Sequence, residues 1–291
     1  MTTGPLLEVD AVGKTYWMGG LLSRHRVRAV DQVSFALAAG TPEIFTIIGE
    51  SGSGKSTLAR MILNLVAPTD GSIRFRGTEL SAIRRRRDRL AFMKHVQPIF
   101  QNPFEAFNPL KRVDRYLFMT ARRFAGAGTT AAMEDRADRS LRKVGLSLTE
   151  VKGRFPHELS GGQLQRIAVA RALISEPSLI VADEPVSMVD ASLRTSIVNL
   201  FRALRDDLRV SIIYITHDLA TAYYISDRII IMQKGQVVES GDARAVLSNP
   251  RHPYSILLKD AVLSPDAAGS GASLSAPASP EEAGEEILGV S

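Results

Sequence analysis

One octapeptide constrains the fold of this chain more than any other stretch: Gly49-Glu-Ser-Gly-Ser-Gly-Lys-Ser56. It follows the apolar run IFTII and precedes a helix that begins near Lys55, which is the strand, glycine loop and helix order of a P-loop. Glycines let backbone N–H groups wrap a phosphate chain, while Lys55 offers a positive charge and the Ser56 hydroxyl a ligand for Mg²⁺. A flexible glycine-rich turn is the alternative, but such a turn does not require this order. The motif therefore predicts an α/β protein that binds phosphates, with Thr57 reaching the α-phosphate.

The N-terminal half changes character along its length. Its first 50 residues favour three strands, at Leu6–Val12, Val27–Leu37 and Glu43–Ile48, separated by turns that contain glycine. From 102 to about 155 the apolar spacing becomes helical, and the segment AGAGTT at 125–130 interrupts it. We therefore expect strands around the P-loop, followed by a helical insert.

The C-terminal half alternates strands and helices. The apolar strands SLIVAD and SIIYIT enclose an amphipathic helix, which is typical of a parallel sheet covered by helices. Two shorter strands, RIIIMQ and QVVES, are then joined by a tight turn at Lys234-Gly235. Residues from Ser264 onward are rich in Ala, Ser, Gly, Pro and Glu, so we predict a disordered tail.

Composition limits the class of protein. The chain has no cysteine, which excludes disulfides and thiolate metal sites and fits a reducing compartment. No apolar run reaches the roughly 18 to 20 residues of a membrane helix, and the start MTTGPLLEVD does not resemble a signal peptide. The formal net charge of +5 permits contact with nucleic acid or anionic lipid without requiring it. We expect a cytoplasmic globular protein that does not span the membrane.

The basic run RRRRDR at 84–89 has two interpretations. It suits a patch for nucleic acid or lipid, and it equally suits the solvated face of a surface helix. The arginines have no aromatic residues between them to stack on bases, so the solvated face is favoured.

Two adjacent carboxylates, Asp183 and Glu184, follow the buried strand SLIVAD. Open α/β sheets bind ligands at the carboxyl ends of their strands, so both side chains are placed for chemistry. Asp183 is suited to holding Mg²⁺ through water, and Glu184 to taking a proton from an attacking water. An Asp-Glu pair alone more often opens a solvated loop, but the P-loop favours the catalytic interpretation. His217 follows SIIYIT, and a lone histidine is more often a structural hydrogen-bonding residue, so its role stays open here.

A second candidate anion site lies in ELSGGQLQRIAVARAL, at 158–173. A serine and paired glycines at the start of a helix present free N–H groups and the positive end of the helix dipole. The predicted helix ends before Pro177, and its apolar face consists of Leu164, Ile167, Ala168 and Ala172. The chain thus has two phosphate sockets about a hundred residues apart.

In their order along the chain, these motifs resemble those of an ATP-binding cassette (ABC) ATPase over roughly residues 6–241. LSGGQ at 159–163 resembles the family's signature sequence, and its combination with a P-loop is very specific. The resemblance implies an ATPase domain at 1–241 with an N-terminal antiparallel β subdomain, a parallel-sheet core and a helical insert at about 102–155. It also implies that two cassettes pair head to tail, so that the signature of one contacts the γ-phosphate bound to the other. The second socket then serves the partner's ATP.

The resemblance also implies roles for single residues. Gln101 resembles the switch glutamine that contacts Mg²⁺ and the attacking water, and the resemblance implies that His217 is a catalytic residue. Tyr16 matches the aromatic that stacks on adenine, although the neighbouring Trp17 is an alternative platform. The implied Mg²⁺ ligands are Ser56, Gln101 and Asp183. The implied ATP contacts are Tyr16, Gly49, Glu50, Ser51, Gly52, Ser53, Gly54, Lys55, Ser56 and Thr57 in one cassette, and Ser160, Gly161, Gly162, Gln163 and Asp190 in trans.

Three stretches resemble the peptide-importer group of ABC ATPases: FQNPFEAFNP at 100–109, DEPVSMVD at 183–190 and NPRHPYSILLKDAVLSPD at 249–266. The third implies a C-terminal extension at 242–266, ahead of the tail at 267–291. Members of this group also serve oligosaccharides and nickel, so the cargo stays open. Some members hold a cysteine-ligated iron–sulfur cluster in the extension, and a chain without cysteine cannot.

The resulting hypothesis is an ATP-hydrolysing subunit of an importer at the cytoplasmic face of the membrane, with ATP and Mg²⁺ as cofactors. Its implied partners are a second ABC ATPase subunit, the same or a related chain, two transmembrane permease subunits, and indirectly an extracytoplasmic solute-binding protein. The alternative is a soluble ABC ATPase that acts on ribosomes or DNA. A single cassette, with an insert that lacks sustained heptads, argues against that alternative, so we expect no nucleic-acid partner.

Overall fold

The computed structural model of the protein describes residues 4–18, 25–102, 104, 106–187 and 189–263. Its strands in these ranges are β1 (Leu7–Met18), β2 (His25–Leu37), β3 (Ile44–Ile48), β4 (Asp70–Phe75), β5 (Thr78–Glu79), β6 (Val96–Ile99), β7 (Leu179–Asp183), β8 (Ser211–Thr216), β9 (Arg228–Gln233) and β10 (Gln236–Asp242). They form an antiparallel sheet in the order β2-β1-β4-β5 and a larger sheet in the order β10-β9-β3-β8-β7-β6. Strands β9, β3, β8, β7 and β6 run parallel, and β10 is antiparallel to β9.

The helices in the same ranges are α1 (Lys55–Ile62), α2 (Arg86–His95), α3 (Val113–Phe124), α4 (Thr130–Arg142), α5 (Leu148–Val151), α6 (Gly161–Leu173), α7 (Ala191–Asp206), α8 (Leu219–Ile225), α9 (Ala243–Ser248) and α10 (Pro253–Leu263). Helices α3, α4 and α5 occupy the predicted insert, and their apolar side chains share one core cluster with α6. Among the described helices, none combines the length and the apolar character needed to cross a membrane.

The central strands explain why the larger sheet is parallel. Strands β3 and β8 are buried at every position, and β7 is buried at all but its last residue. Continuous apolar runs of this kind suit strands covered on both faces, whereas a half-exposed strand would alternate. The parallel sheet predicted from SLIVAD and SIIYIT is confirmed.

Strand β1 is longer than the sequence pattern predicts. We expected it to end at Val12, but pairing with β2 continues to Met18 across register shifts between Val9 and Thr15. Such bulges shift the side chains from one face of the sheet to the other. The alternation of apolar residues is therefore interrupted although the strand continues. Tyr16 consequently lies on β1 and not after it.

Strands β4 and β6 and helix α2 are among the elements that the sequence pattern does not predict, each for a local reason. Strand β4 opens with Asp70 and Gly71, which are typical of turns, and β6 is four residues long and contains Pro98. Helix α2 has one buried residue, Phe92, so it lacks an apolar stripe. The basic run at 84–89 enters this helix with every residue exposed, as the solvated-face interpretation predicts.

The C-terminal end of the cassette packs beside the P-loop strand. The turn between β9 and β10 has positive φ at Lys234 (48°) and Gly235 (86°), as predicted for a tight hairpin turn. Helices α8, α9 and α10 form an apolar cluster with β3 and β9 that includes Ile48 and Tyr254. The predicted tail at 267–291 lies outside the described residues.

Candidate active site

Three loops meet at one edge of the larger sheet, where β3, β7 and β8 end. The parallel register aligns these ends, since Ile48 pairs with Thr216 at the last position of β3 and β8. The P-loop, Glu184 and His217 follow the three strands directly. The fold thus collects, at one edge, motifs that lie more than 160 residues apart in sequence.

The backbone of the P-loop is packed too closely for side chains at two of its glycines. A Cβ added to Gly49 would lie 2.3 Å from the carbonyl oxygen of Met232. One added to Gly54 would lie 2.3 Å from the carbonyl oxygen of Ala29, and Gly54 has a φ of 103°. Only glycine fits these positions, because other residues clash and rarely adopt such a φ.

The P-loop opens onto the N-terminus of α1. No side chain caps the first turn of this helix, so its N–H groups are available to a ligand. Ser51, Gly52 and Ser56 are exposed around it, and Thr57 is half-buried. The arrangement of free N–H groups and exposed hydroxyls is that of an anion site.

Lys55 is the buried cation of the loop, with 5% of its surface exposed. Its Nζ donates to the carbonyl oxygens of Gly49 and Glu50 at 2.7 Å each. Burial lowers the pKa of Lys55, and the neighbouring carboxylates, of which Glu184 is the largest influence, oppose that shift. A bound anion would further favour the charged ammonium.

Asp183 ends β7 beside the start of α1. Its carboxylate accepts a hydrogen bond from the Ser56 hydroxyl. Burial raises the pKa of Asp183, the bond from Ser56 opposes this, and the adjacent Glu184 adds to the rise. Two oxygen-bearing side chains that sequence reasoning assigned to Mg²⁺ are therefore in contact.

Glu184 lies at the centre of the predicted catalytic residues. Its Oε2 accepts from Gln101 Nε2 at 3.0 Å, and its Oε1 lies 3.1 Å from His217 Nδ1. Its backbone has a left-handed φ of 45°, and its N–H donates to Ile215 O at 2.9 Å. Strain at a non-glycine residue of this kind costs about 1–3 kcal/mol and is concentrated at functional sites. The structure therefore brings together Gln101, Glu184 and His217.

The signature residues form the capped start of α6. The Ser160 hydroxyl accepts from the Gln163 N–H at 3.2 Å, and Gln163 Oε1 accepts from the Ser160 N–H at 3.0 Å. Gly162 is packed against α7, where an added Cβ would lie 2.8 Å from Leu193 Cδ1. Ser160 is exposed and Gly161 half-buried, so this socket is open to a second molecule. The predicted contact in trans stays a prediction.

Asp190 and Tyr16 are the two other predicted ATP contacts. Asp190 precedes α7, and its exposed side chain makes no capping hydrogen bond. Tyr16 is half-buried on β1 with the Lys14 ammonium 5.3 Å from its ring centre, whereas Trp17 is 69% exposed. Successive residues of a strand face opposite sides, so one of the two aromatic rings is available as an adenine platform on each face.

One contact to the P-loop was not predicted at all. The hydroxyl of Tyr254, on α10, accepts a hydrogen bond from the Glu50 N–H at 2.9 Å. The sequence carries no motif for this, because a contact over 204 positions depends on how α10 packs.

Residues 30–187 match the sequence family described as ABC transporter. The chain belongs to the ABC transporter family. It is therefore an ATP-binding, ATP-hydrolysing cassette, with the antiparallel β subdomain, parallel-sheet core and helical insert that the sequence predicts.

Relatives in this family are similar over most of the chain. The oligopeptide transport ATP-binding protein OppF of Escherichia coli (strain K12) is 42% identical over 240 residues, covering 82% of this chain and 71% of OppF. AppF of Bacillus subtilis (strain 168), also an oligopeptide transport ATP-binding protein, is 38% identical over 263 residues, covering 88% and 78%. A solved structure of the cassette MJ0796, dimeric in a post-hydrolysis state with ADP and Pi, superposes with a TM-score of 0.71 at 28% identity, covering 82% of this chain and 99% of MJ0796.

Proposed function

We propose that this ABC ATPase energises an importer of peptides or similar solutes, bound at the cytoplasmic face of a membrane. One observation carries the hydrolytic part: Glu184 lies between Gln101 and His217, at the same sheet edge as Lys55 and the Ser56–Asp183 pair. A phosphate-binding cation, oxygen ligands for a metal and a base are thus side by side. This set supports transfer of the γ-phosphoryl group of ATP to water.

ATP would bind with its phosphates against the P-loop and the N-terminus of α1. Lys55, now held by two loop carbonyls, would exchange them for phosphate oxygens, which bind an ammonium more strongly because they are charged. The adenine would stack on Tyr16, or on Trp17 if that ring is the platform. Binding would thus use the existing loop shape and one side-chain movement.

The residues present fit a Mg²⁺ ion. Ser56 and Asp183 are already in hydrogen-bond contact, and Gln101 is hydrogen-bonded to Glu184, the residue that follows Asp183. Mg²⁺ prefers oxygen ligands and is commonly held by few protein groups together with substrate phosphates. When bound, the ion would neutralise charge on the β- and γ-phosphates.

Glu184 would act as the general base. Its carboxylate would take a proton from a water whose oxygen bonds to the γ-phosphorus, while the bond to the bridging oxygen breaks and leaves ADP and phosphate. Gln101 and His217 hold the two carboxylate oxygens, so the base is fixed before the substrate arrives. Positioning of this kind is the main contribution a protein makes to phosphoryl transfer.

A second cassette would complete the site. The open start of α6, with Ser160, Gly161, Gly162 and Gln163, would contact the γ-phosphate bound to the partner, and Asp190 would lie at the crossing between the two sites. The dimer described for MJ0796 supports this pairing. Because the γ-phosphate would contact both subunits, its hydrolysis would release them.

A groove of about 720 Å³ beside the helical insert is our proposed contact with a permease subunit, so that two cassettes would contact the two permease subunits. It lies where α2, β6 and α3 meet, and both Phe100 and Met119 expose apolar surface in it, at 40% and 59%. Its remaining lining includes the apolar Phe92, Met93 and Phe124 and the basic Arg89, Lys111, Arg115 and Arg123. Exposed apolar grooves with a polar rim mark interaction sites. Because the rim of this groove is basic, we propose that it binds a helix that has an apolar face and acidic residues on either side of it.

The names of the relatives support peptides as the cargo, and a solute-binding protein outside the membrane would deliver them. Oligosaccharides and nickel stay as alternatives, since the cassette residues described above contact ATP and not the cargo. A soluble ATPase on ribosomes or DNA is the alternative of another class, and it would use the exposed arginines at 84–89.

Light scattering of the Glu184→Gln chain, which should bind ATP without hydrolysing it, tests the pairing. We expect the mass of two cassettes with ATP and of one cassette with ADP, and a Ser160→Arg change should abolish the larger form by filling the socket. A single-cassette mass with ATP bound would reject pairing between copies and leave a related chain as partner. Failure to bind ATP would reject the proposed function.

A further inference from the structure

The hydrogen bond between Tyr254 and the P-loop joins two regions that the catalytic motifs do not connect. The Tyr254 hydroxyl accepts from the Glu50 N–H at 2.9 Å, and Tyr254 is only 7% exposed. Burial raises the pKa of this phenol, while the bond from Glu50 opposes the rise, so the hydroxyl is neutral at physiological pH. The contact is thus a specific bond from α10 to the second residue of the loop.

Two sets of contacts fix the position of the Tyr254 ring. Around the start of α10, the Glu239 carboxylate accepts from the N–H groups of Arg251 at 2.9 Å and His252 at 3.2 Å. The ring itself packs in the apolar cluster that includes Ile48, the last residue of the strand before the P-loop. The hydroxyl is therefore held in place by the body of the cassette.

The peptide groups around Glu50 have different restraints. The Glu50 carbonyl accepts from Lys55 Nζ at 2.7 Å and from the Ser53 N–H at 3.2 Å, whereas its N–H has Tyr254 as acceptor. Lys55 would leave the carbonyl when it turns to a phosphate. The bond to Tyr254 does not involve Lys55, so it would remain in place when Lys55 turns to a phosphate.

We infer that Tyr254 is a positioning residue for the nucleotide site: it fixes the entry of the P-loop, and the C-terminal extension is thereby part of ATP binding. This inference rests on the proposed function, in which the P-loop holds the ATP phosphates. Tyr254 touches neither Glu184 nor His217 through any bond described above. Its effect should fall on nucleotide affinity and not on the chemical step.

The test is Tyr254→Phe in the full chain, which removes the hydroxyl and keeps the packed ring. Without an acceptor, the Glu50 N–H turns to water and the loop loses a restraint, so we expect Kd and KM for ATP to rise about three- to tenfold with kcat within about twofold of wild type. The matched control is Tyr223→Phe, at a tyrosine that is 47% exposed on α8, which should change neither constant.

An unchanged ATP affinity in Tyr254→Phe would overturn the inference, as would a fall in kcat with affinity unchanged. Lys55→Ala, measured in parallel, separates this failure from a failure of the proposed function, since an unaffected Lys55→Ala would reject the nucleotide site itself. Hydrogen exchange of the Glu50 amide in the wild-type chain gives a measurement that needs no variant. We expect protection of that amide, and exchange at the rate of a free loop amide would also overturn the inference.

Discussion

Replacing Glu184 by glutamine changes the proposed base with the least change in shape. The amide has the size of the carboxylate, and it retains an oxygen that can accept from Gln101 Nε2, now bonded at 3.0 Å. What it loses is the ability to take a proton. The variant thus separates proton transfer from the packing around Glu184.

The size of the effect follows from this geometry. The carboxylate is held on both oxygens and its side chain is 19% exposed. The neighbouring Asp183 carboxylate accepts a hydrogen bond from Ser56, so we do not expect it to replace Glu184 as the base. Loss of a general base lowers turnover by about 10²- to 10⁴-fold. That range corresponds to about 2.7–5.4 kcal/mol in the activation barrier. ATP affinity should hold or rise slightly, because Glu184 is a negative charge that faces Lys55.

Release of inorganic phosphate at saturating ATP measures turnover, and equilibrium binding of a fluorescent ATP analogue measures affinity. Glu79→Gln, at an exposed glutamate on β5, is the matched control and should behave as wild type. Hydrolysis by Glu184→Gln at the wild-type rate would refute the assignment of the base. A loss of ATP binding in parallel with turnover would show that Glu184 acts in binding and not in proton transfer.

Three further predictions concern other parts of the site. Lys55→Ala should weaken ATP binding about 10- to 150-fold, the range for a charge-assisted bond, and equal affinity in a binding titration would count against the P-loop assignment. Gly54→Ala should lower the unfolding free energy, measured by denaturant titration, by about 1–3 kcal/mol or more, since backbone strain adds to a clash with Ala29 O. Gly52→Ala, whose added Cβ would have no atom within 4 Å, should lower the unfolding free energy by less. Met119→Glu should keep ATP binding but reduce co-purification of membrane subunits, and undiminished co-purification would contradict the groove as their contact.

Much of the active site could be predicted because its motifs are local. The P-loop, the Asp183–Glu184 pair and the signature each combine residues next to one another with an apolar strand or helix. The P-loop, the Asp183–Glu184 pair and His217 meet at one sheet edge because β3, β7 and β8 run parallel, which continuous apolar runs indicate. Local patterns and one rule of topology were sufficient for these residues.

The remainder depends on contacts that no local pattern encodes. Strand β1 continues through its bulges as far as Tyr16 and beyond, and the sequence pattern could not indicate this because the register shifts are set by pairing with β2. The short β6 and the polar start of β4 form because neighbours supply their partners. The bond from Tyr254 to Glu50 requires α10 to pack beside β3, which is decided by the whole apolar cluster of α8, α9 and α10.

Affinity capture of the Glu184→Gln chain from detergent-solubilised native membranes, with ATP present and bound proteins identified by mass spectrometry, tests the central claim most directly. The exposed Leu257 on α10 supplies a matched control, since Leu257→Glu changes an apolar surface residue outside the groove. We expect two multi-spanning proteins together with a cassette, in undiminished amounts with Leu257→Glu and in reduced amounts with Met119→Glu. Recovery of ribosomal or DNA-bound proteins without a membrane subunit would contradict the central claim.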